Sequence, residues 1–129
     1  MYKTKNSVYD LQYHLVLVTK YRHSVLSDDI AYCLTDIIYE ILENKCGANI
    51  IELNIQPDHV HIMFEAKPSL SLTQMIGLLK SASTKILFKK FKKTLSKKYW
   101  KPHLWNPSYC ICTVSERSSA IVKEYVASQ

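Results

Sequence analysis

Glycine is nearly missing from this chain, with only Gly47 and Gly77 among its 129 residues. Backbone amides that cradle a nucleotide phosphate need closely spaced glycines, so P-loop and dinucleotide-binding chemistry is disfavoured. A paired cysteine motif is lacking as well. Cys33, Cys46, Cys110 and Cys112 form no Cys-x-x-Cys pair, and Cys110 and Cys112 fall on one face of an expected strand, where cysteine usually serves as a small hydrophobe. A zinc site joining that pair to the histidines is the alternative reading. Long apolar runs are also lacking: stretches such as Leu15 to Val18 fall far short of the roughly 20 residues that span a bilayer. The N-terminus has no apolar run of signal-peptide length. At 15.0 kDa, the expectation is one soluble cytoplasmic domain over residues 1–129, large enough to bury a real core.

Acidic residues are absent between Glu65 and Glu116, a stretch that holds ten of the chain's lysines, among them Lys80, Lys85, Lys89, Lys90, Lys92 and Lys93. Carboxylates gather elsewhere, with Asp28, Asp29, Asp36, Glu40 and Glu43 in one segment. A lysine run is ordinarily a solvated helix face, but so long a lack of compensating acid, within a net charge of +6, favours a polyanion, and nucleic acid above all. Lysines suit phosphate contacts better than bidentate base reading. Tyr99, Trp100, His103, Trp105 and Tyr109 follow, offering faces on which unpaired bases stack, or else tryptophans for the core. A nucleoid-associated location fits a nucleic-acid partner.

Two small motifs carry chemistry. His59-Val60-His61 sits in a segment where Val60, Ile62 and Phe64 alternate with His59, His61 and Met63. On a strand, residues i and i+2 share a face, so the apolar row packs inward and both imidazoles point outward together, as two ligands of one metal would. Surface or structural histidines are the bland alternative. Near the C-terminus, Ile121, Val122, Tyr125 and Val126 have helical spacing, with Ser115 or Ser118 available as N-cap. Tyr125 and Gln129 then lie at i and i+4, a phenol beside an amide oxygen that coordinates hard cations. Against this stands Tyr125 as one more aromatic of an amphipathic helix.

Periodicity gives the architecture. Val8 to Tyr21 alternates as a strand. Ser27 opens a helix with the stripe Ile30, Cys33, Leu34, Ile37, Ile38, Ile41 and Leu42, ending near Gly47. Asn49 to Gln56 and His59 to Ala66 form a hairpin across Pro57-Asp58. Ser71 introduces a second helix with Leu72, Met75, Ile76, Leu79, Ile86 and Leu87. Tyr109 to Val114 is the last strand, and the Tyr125 helix closes the chain. The order βαββαβ plus one helix predicts an α+β, ferredoxin-like (RRM-like) antiparallel sheet. Its first and third strands are central, which sets His59 and His61 mid-sheet on the face left open by the two helices, with Val60, Ile62 and Phe64 meeting Ile51, Leu53 and Ile55 behind.

The motifs resemble those of a known family. His59-Val60-His61 is similar to the His-hydrophobic-His motif of HUH endonucleases, and Tyr125 with Gln129 to the Tyr-x-x-x-Gln of single-tyrosine transposases of the insertion sequence 200/605 type. The segments Tyr13 to Arg22, Pro57 to His61 and Leu104 to Tyr109 resemble that family's first strand, metal strand and the approach to its last strand. The likeness runs from about Tyr9 to Gln129, and four motifs in order are far more specific than one.

The resemblance implies cleavage and rejoining of single-stranded DNA at hairpin ends of an insertion sequence. His59, His61 and Gln129 hold Mg²⁺ or Mn²⁺, and Tyr125 attacks the scissile phosphate to leave a 5′-phosphotyrosine and a free 3′-hydroxyl. It also implies a homodimer with sites shared in trans. A covalent link that conserves phosphodiester energy needs no ATP, in keeping with the missing glycine loop. Two other readings share the fold: a ferredoxin-like RNA- or DNA-binding module that does not cut, and a domesticated nuclease serving the host. The first would leave His59, His61, Tyr125 and Gln129 as coincidence.

Overall fold

Alternating burial builds the centre of the molecule. The computed structural model describes residues 2–3 and 8–129. A two-residue ladder joins β1 (Tyr2–Lys3) to β2 (Val8–Tyr9). The main sheet has β3 (Gln12–Val18), β4 (Asn49–Gln56), β5 (His59–Glu65) and β6 (Cys110–Thr113), all antiparallel, in the order β4-β5-β3-β6. The expected first strand thus breaks after Tyr9, where the Leu11 carbonyl turns to accept the Ala66 amide. It stops again at Thr19, because Tyr21 and Arg22 take left-handed φ angles of 58° and 55° that no strand continues.

The expected hairpin stands, with His59 opposite Gln56. β3 and β5 are the two central strands. On β5, Val60, Ile62 and Phe64 are fully buried while His59, His61 and Met63 are half-buried, so the apolar row and the histidines lie on opposite faces. β4 departs from expectation. A bulge between Ile50 and Glu52 shifts its register, so Ile50, Leu53 and Ile55 pack on the core while Ile51 is turned out to solvent. An extra residue in a ladder reverses the side of everything beyond it.

Helix α1 (Asp28–Tyr39) starts after Ser27, whose carbonyl, not its hydroxyl, accepts the first amides. It runs on as a π-helical turn over Glu40–Lys45, in which the Cys46 amide reaches back to the Ile41 carbonyl. Gly47, at φ 70°, closes that turn in the left-handed conformation that costs other residues most. Helix α2 (Leu72–Lys90) begins at Ser71, whose hydroxyl accepts the Gln74 amide, and a short α3 (Lys92–Ser96) follows. Met75, Ile76, Leu79 and Leu87 of α2 join the α1 stripe and the β3–β5 row in the core. Ile86 is exposed, and Ser83 takes the inward place instead, because Trp105 Nε1 donates to Ser83 Oγ at 2.8 Å. Helix α4 (Ser118–Ser128) completes the fold. No helix among the described residues is long and apolar enough to cross a membrane.

Candidate active site

The two expected motifs meet on one face of the sheet. Val16 lies opposite His61 and Val18 opposite His59 across the β3–β5 ladder, and paired residues of a ladder share a face. Val16, Val18 and Cys110 form a small second core covered by Val122, Tyr125 and Val126 of α4. Within one chain, therefore, the tyrosine helix sits on its own β3 and β6, on the face that carries the histidines. Ile121, expected in its apolar stripe, is exposed. Arg117 occupies the N-cap position, while Ser115 and Ser118 brace the preceding turn, Ser118 Oγ donating to the Ser115 carbonyl at 2.8 Å.

Around the tyrosine, Tyr125 Oη lies 2.8 Å from Ser108 Oγ. Gln129 Oε1 accepts from Asn106 Nδ2 at 2.8 Å and from Ser108 Oγ at 3.3 Å. The i, i+4 spacing thus brings phenol and amide to one serine, presented by the Asn106-Pro107-Ser108 segment ahead of β6. That segment is anchored from α2: Lys80 Nζ donates to the carbonyls of Asn106 at 2.9 Å and Pro107 at 3.1 Å.

Around the histidines, His59 Nδ1 donates to Asp58 Oδ1 at 2.8 Å, and Arg22 Nε donates to Asp58 Oδ2 at 2.8 Å. Burial raises the Asp58 pKa, but hydrogen bonds from His59 and Arg22 and the charges of both outweigh it, and the carboxyl sits below its ordinary range. A carboxylate fixing one imidazole nitrogen leaves Nε2 of His59 free to ligate, the way metal-bound histidines are usually held. His61 has a different support. Its Nε2 lies 2.7 Å from His14 Nδ1, with the rings stacked 4.9 Å apart. If Nε2–H of His61 donates, its Nδ1 keeps a lone pair for a metal. Burial first, then His14, holds the His61 pKa below the usual imidazole value, which favours the neutral, ligating form. Two imidazole nitrogens with an amide oxygen would together make a donor set that suits magnesium or manganese, so the chemistry of these residues fits the expected ion. The two thiols next to them fit zinc less well, since burial pushes both Cys110 and Cys112 up, toward the protonated form.

Arg22 links the halves, for its Nη1 also reaches the Gln129 carbonyl at 3.4 Å. Among the described residues no hydrogen bond joins Tyr125 or the Gln129 amide directly to either histidine. His14, Arg22, Asp58, Asn106 and Ser108 all escaped the reading of sequence alone. Arg22 carried a signal, being one of two arginines in a lysine-rich chain. So did Asp58, next to the first histidine. His14 and Ser108 carried none until the ladder and the α4 seat were known.

The basic stretch divides. Lys85, Lys89, Lys90, Lys92 and Lys93 are exposed, whereas Lys80 is half-buried against the Asn106–Pro107 carbonyls, and burial lowers its pKa. Lys80→Gln should therefore loosen the Ser108 segment, costing about 1–2 kcal/mol and a few degrees of Tm. It should leave the salt dependence of DNA binding unchanged. An unaltered Tm with a flatter salt slope would make Lys80 a phosphate contact. The aromatics divide too: Tyr99 and Trp105 are buried, while Trp100, His103 and Tyr109 are exposed.

Comparison with known proteins places the chain among transposases. The sequence profile of IS200-like transposases matches residues 7–129. The ISDra2 transposase TnpA of Deinococcus radiodurans is 40% identical over 129 residues, covering 100% of this chain and 91% of that protein. The transposase of insertion sequence element IS200 from Salmonella typhimurium is 27% identical over 121 residues, covering 94% of this chain and 78% of that one. A Deinococcus radiodurans crystal structure described as a transposase superposes with a TM-score of 0.89 at 39% identity, over 100% of this chain and 98% of the other. A REP-associated tyrosine transposase bound to a REP hairpin shares the fold, with a TM-score of 0.56 at 11% identity over 95% of this chain and 68% of that one.

Proposed function

This chain belongs to the family of IS200-like transposases, DNA-processing enzymes, and we propose that it cuts and rejoins single-stranded DNA through Tyr125. The observation that carries the reading is the convergence of the Tyr125 hydroxyl and the Gln129 amide on Ser108, one Arg22 bridge away from the Asp58–His59 pair. Tyr125 Oη forms a bond to phosphorus as the bond from phosphorus to the 3′-oxygen breaks. The phenol gives up its proton and the 3′-oxygen takes one, leaving a 5′-phosphotyrosine and a 3′-hydroxyl. Attack by another 3′-hydroxyl reverses the step and releases the tyrosine. Ser108 fixes the direction of the phenolic oxygen before attack, and Asn106 and Ser108 orient Gln129.

His59, His61 and Gln129 would hold the magnesium or manganese ion, which when bound supplies positive charge to the scissile phosphate. Arg22 and Asp58 keep the His59 ring oriented, and His14 does so for His61. The test is incubation with single-stranded element ends and either metal, followed by denaturing electrophoresis. A protein–DNA adduct supports the reading, and its absence with every end tested overturns it.

Lys85, Lys89, Lys90, Lys92 and Lys93 are the proposed phosphate contacts, with hairpin DNA as partner. Neutralising Lys89, Lys90, Lys92 and Lys93 together should flatten the plot of log affinity against log salt, by about 0.7 for each lost single-strand contact. An unchanged slope makes them a solvated face.

The homodimer with sites shared in trans is likewise a proposal, and it requires the α4 of each subunit to take on its partner's sheet the seat it takes on its own in the single chain, so that the same contacts form between subunits. Mixing Tyr125→Phe, inactive alone, with His61→Ala, strongly impaired alone, should restore cleavage under subunit exchange if the histidines of one subunit serve the tyrosine of the other. With sites in cis both stay damaged, and the absence of rescue despite proven heterodimers would rule the shared site out.

A further inference from the structure

Next to Arg22, on the other side of the same turn, lies a cleft that the proposed chemistry does not use. It has a volume of about 350 Å³ and is lined by Lys20, Tyr21, Tyr99, Trp100, Lys101 and His103. Small-ligand sites start at roughly 300 Å³, so the space is of the size that one nucleotide fills. The turn that forms one wall is pinned to the opposite wall by main-chain bonds, the Lys20 amide donating to the Leu104 carbonyl at 2.8 Å and the Asn106 amide to the Val18 carbonyl at 2.8 Å. Left-handed φ angles at both Tyr21 and Arg22 send successive side chains in different directions. Arg22 goes to Asp58 and Gln129; Tyr21 stays 73% exposed at the cleft.

The lining has the chemistry of single-strand recognition. Trp100 is 98% exposed, so its indole packs on almost nothing of its own chain, an uncommon state for so large an apolar ring. Lys20 Nζ lies 5.4 Å from the Tyr21 ring centre, which places a cation and an aromatic face together, and Lys101 adds a second ammonium. Among the described residues no carboxylate lines the cleft. Tyr99 is buried, and among the described residues its hydroxyl meets no hydrogen-bond partner of good geometry. Thr19 Oγ1 lies close enough to ease the phenol's pKa slightly, yet burial dominates and pushes it up to about 12. Thr19 spends its own proton on the carbonyls of His23 and Asp58. Buried and neutral, Tyr99 forms an uncharged floor to the cleft.

We propose that this cleft binds one unpaired nucleotide of the DNA strand entering the site, its base stacked on Trp100 and Tyr21 and its phosphate held by Lys20 and Lys101. The inference rests on the reading of the chain as an enzyme of single-stranded DNA, and it assigns the cleft a positioning role: the strand is gripped one residue from Arg22. Aromatic faces with lysines tolerate any base, which fits a subsite that holds the strand without reading it.

Trp100 is its own probe, since the other tryptophan, Trp105, is buried. Adding a single-stranded oligothymidylate about a dozen nucleotides long should quench the exposed indole and shield it from iodide, while a blunt duplex should not. Trp100→Ala should weaken binding, followed independently by anisotropy, about 5- to 100-fold, the range for losing one stacked base, with Tm unchanged. Trp100→Phe should recover most of the loss. Lys101→Ala should reduce the salt slope by about 0.7. If the oligonucleotide binds wild type and Trp100→Ala equally and the indole does not respond, the subsite is wrong, and the strand-cleavage reading stands on the binding observed. If anisotropy detects no binding and element ends give no adduct, both fall together.

Discussion

Tyr125→Phe is expected to abolish the covalent protein–DNA adduct and strand cleavage while leaving single-strand affinity within about twofold. The substitution removes one oxygen, the atom that bonds to phosphorus, and keeps the ring that packs on Val16, Val18 and Cys110. Loss of a covalent nucleophile costs on the order of 10⁴–10⁶ in rate. Stability should change little, because the hydroxyl's partner is exposed Ser108, which water satisfies instead. Electrophoresis under denaturing conditions reads the adduct, and anisotropy reads binding. A surviving adduct would transfer the nucleophile to another residue; loss of binding and adduct together, with a fall in Tm, would make Tyr125 a packing residue of α4.

His61→Ala is expected to lower manganese affinity and cleavage together, the latter by about 10²–10³-fold, the scale of several kcal/mol of charge stabilisation at the phosphate. His61 lies on the face away from Val60, Ile62 and Phe64, so the core survives, and Tm should move by only a few degrees. His14→Ala provides the graded comparison. It removes the group 2.7 Å from His61 Nε2 but no proposed ligand, and loss of such outer support typically costs about 10–100-fold. Calorimetric titration with manganese separates these outcomes from a structural role: unchanged metal affinity with a collapsed Tm would mean that His61 is a packing residue.

What the sequence made legible is what depends on neighbours along the chain. The hairpin at Pro57-Asp58, the β5 alternation and the α1 stripe follow from period and turn chemistry within about a dozen residues. The opposite placement of Ile51 does not. One bulge between Ile50 and Glu52 inverts a face, and nothing local marks it. The two tryptophans show the same limit, being alike in pattern. Trp105 is buried because Ser83, 22 residues earlier on another element, accepts its N–H, while Trp100 meets no such partner. The candidate site divides along that line too. His59, His61, Tyr125 and Gln129 are short-range spacings on a strand and a helix, visible as motifs. The groups that orient them, His14, Arg22, Asn106 and Ser108, come from segments that only the sheet order and the seat of α4 bring near.

The left-handed pair at Tyr21 and Arg22 sets selection against itself. Each such angle costs a non-glycine residue roughly 1–2 kcal/mol, so selection for thermal stability alone would drift toward glycine here. A glycine at 22 would surrender the Asp58 ion pair, and one at 21 the exposed ring. The turn therefore marks where a consensus or stability-guided redesign of this chain would gain melting temperature by discarding groups of the proposed site. Stabilising substitutions are better sought on α1, whose exposed face lies on the far side of the core from α4.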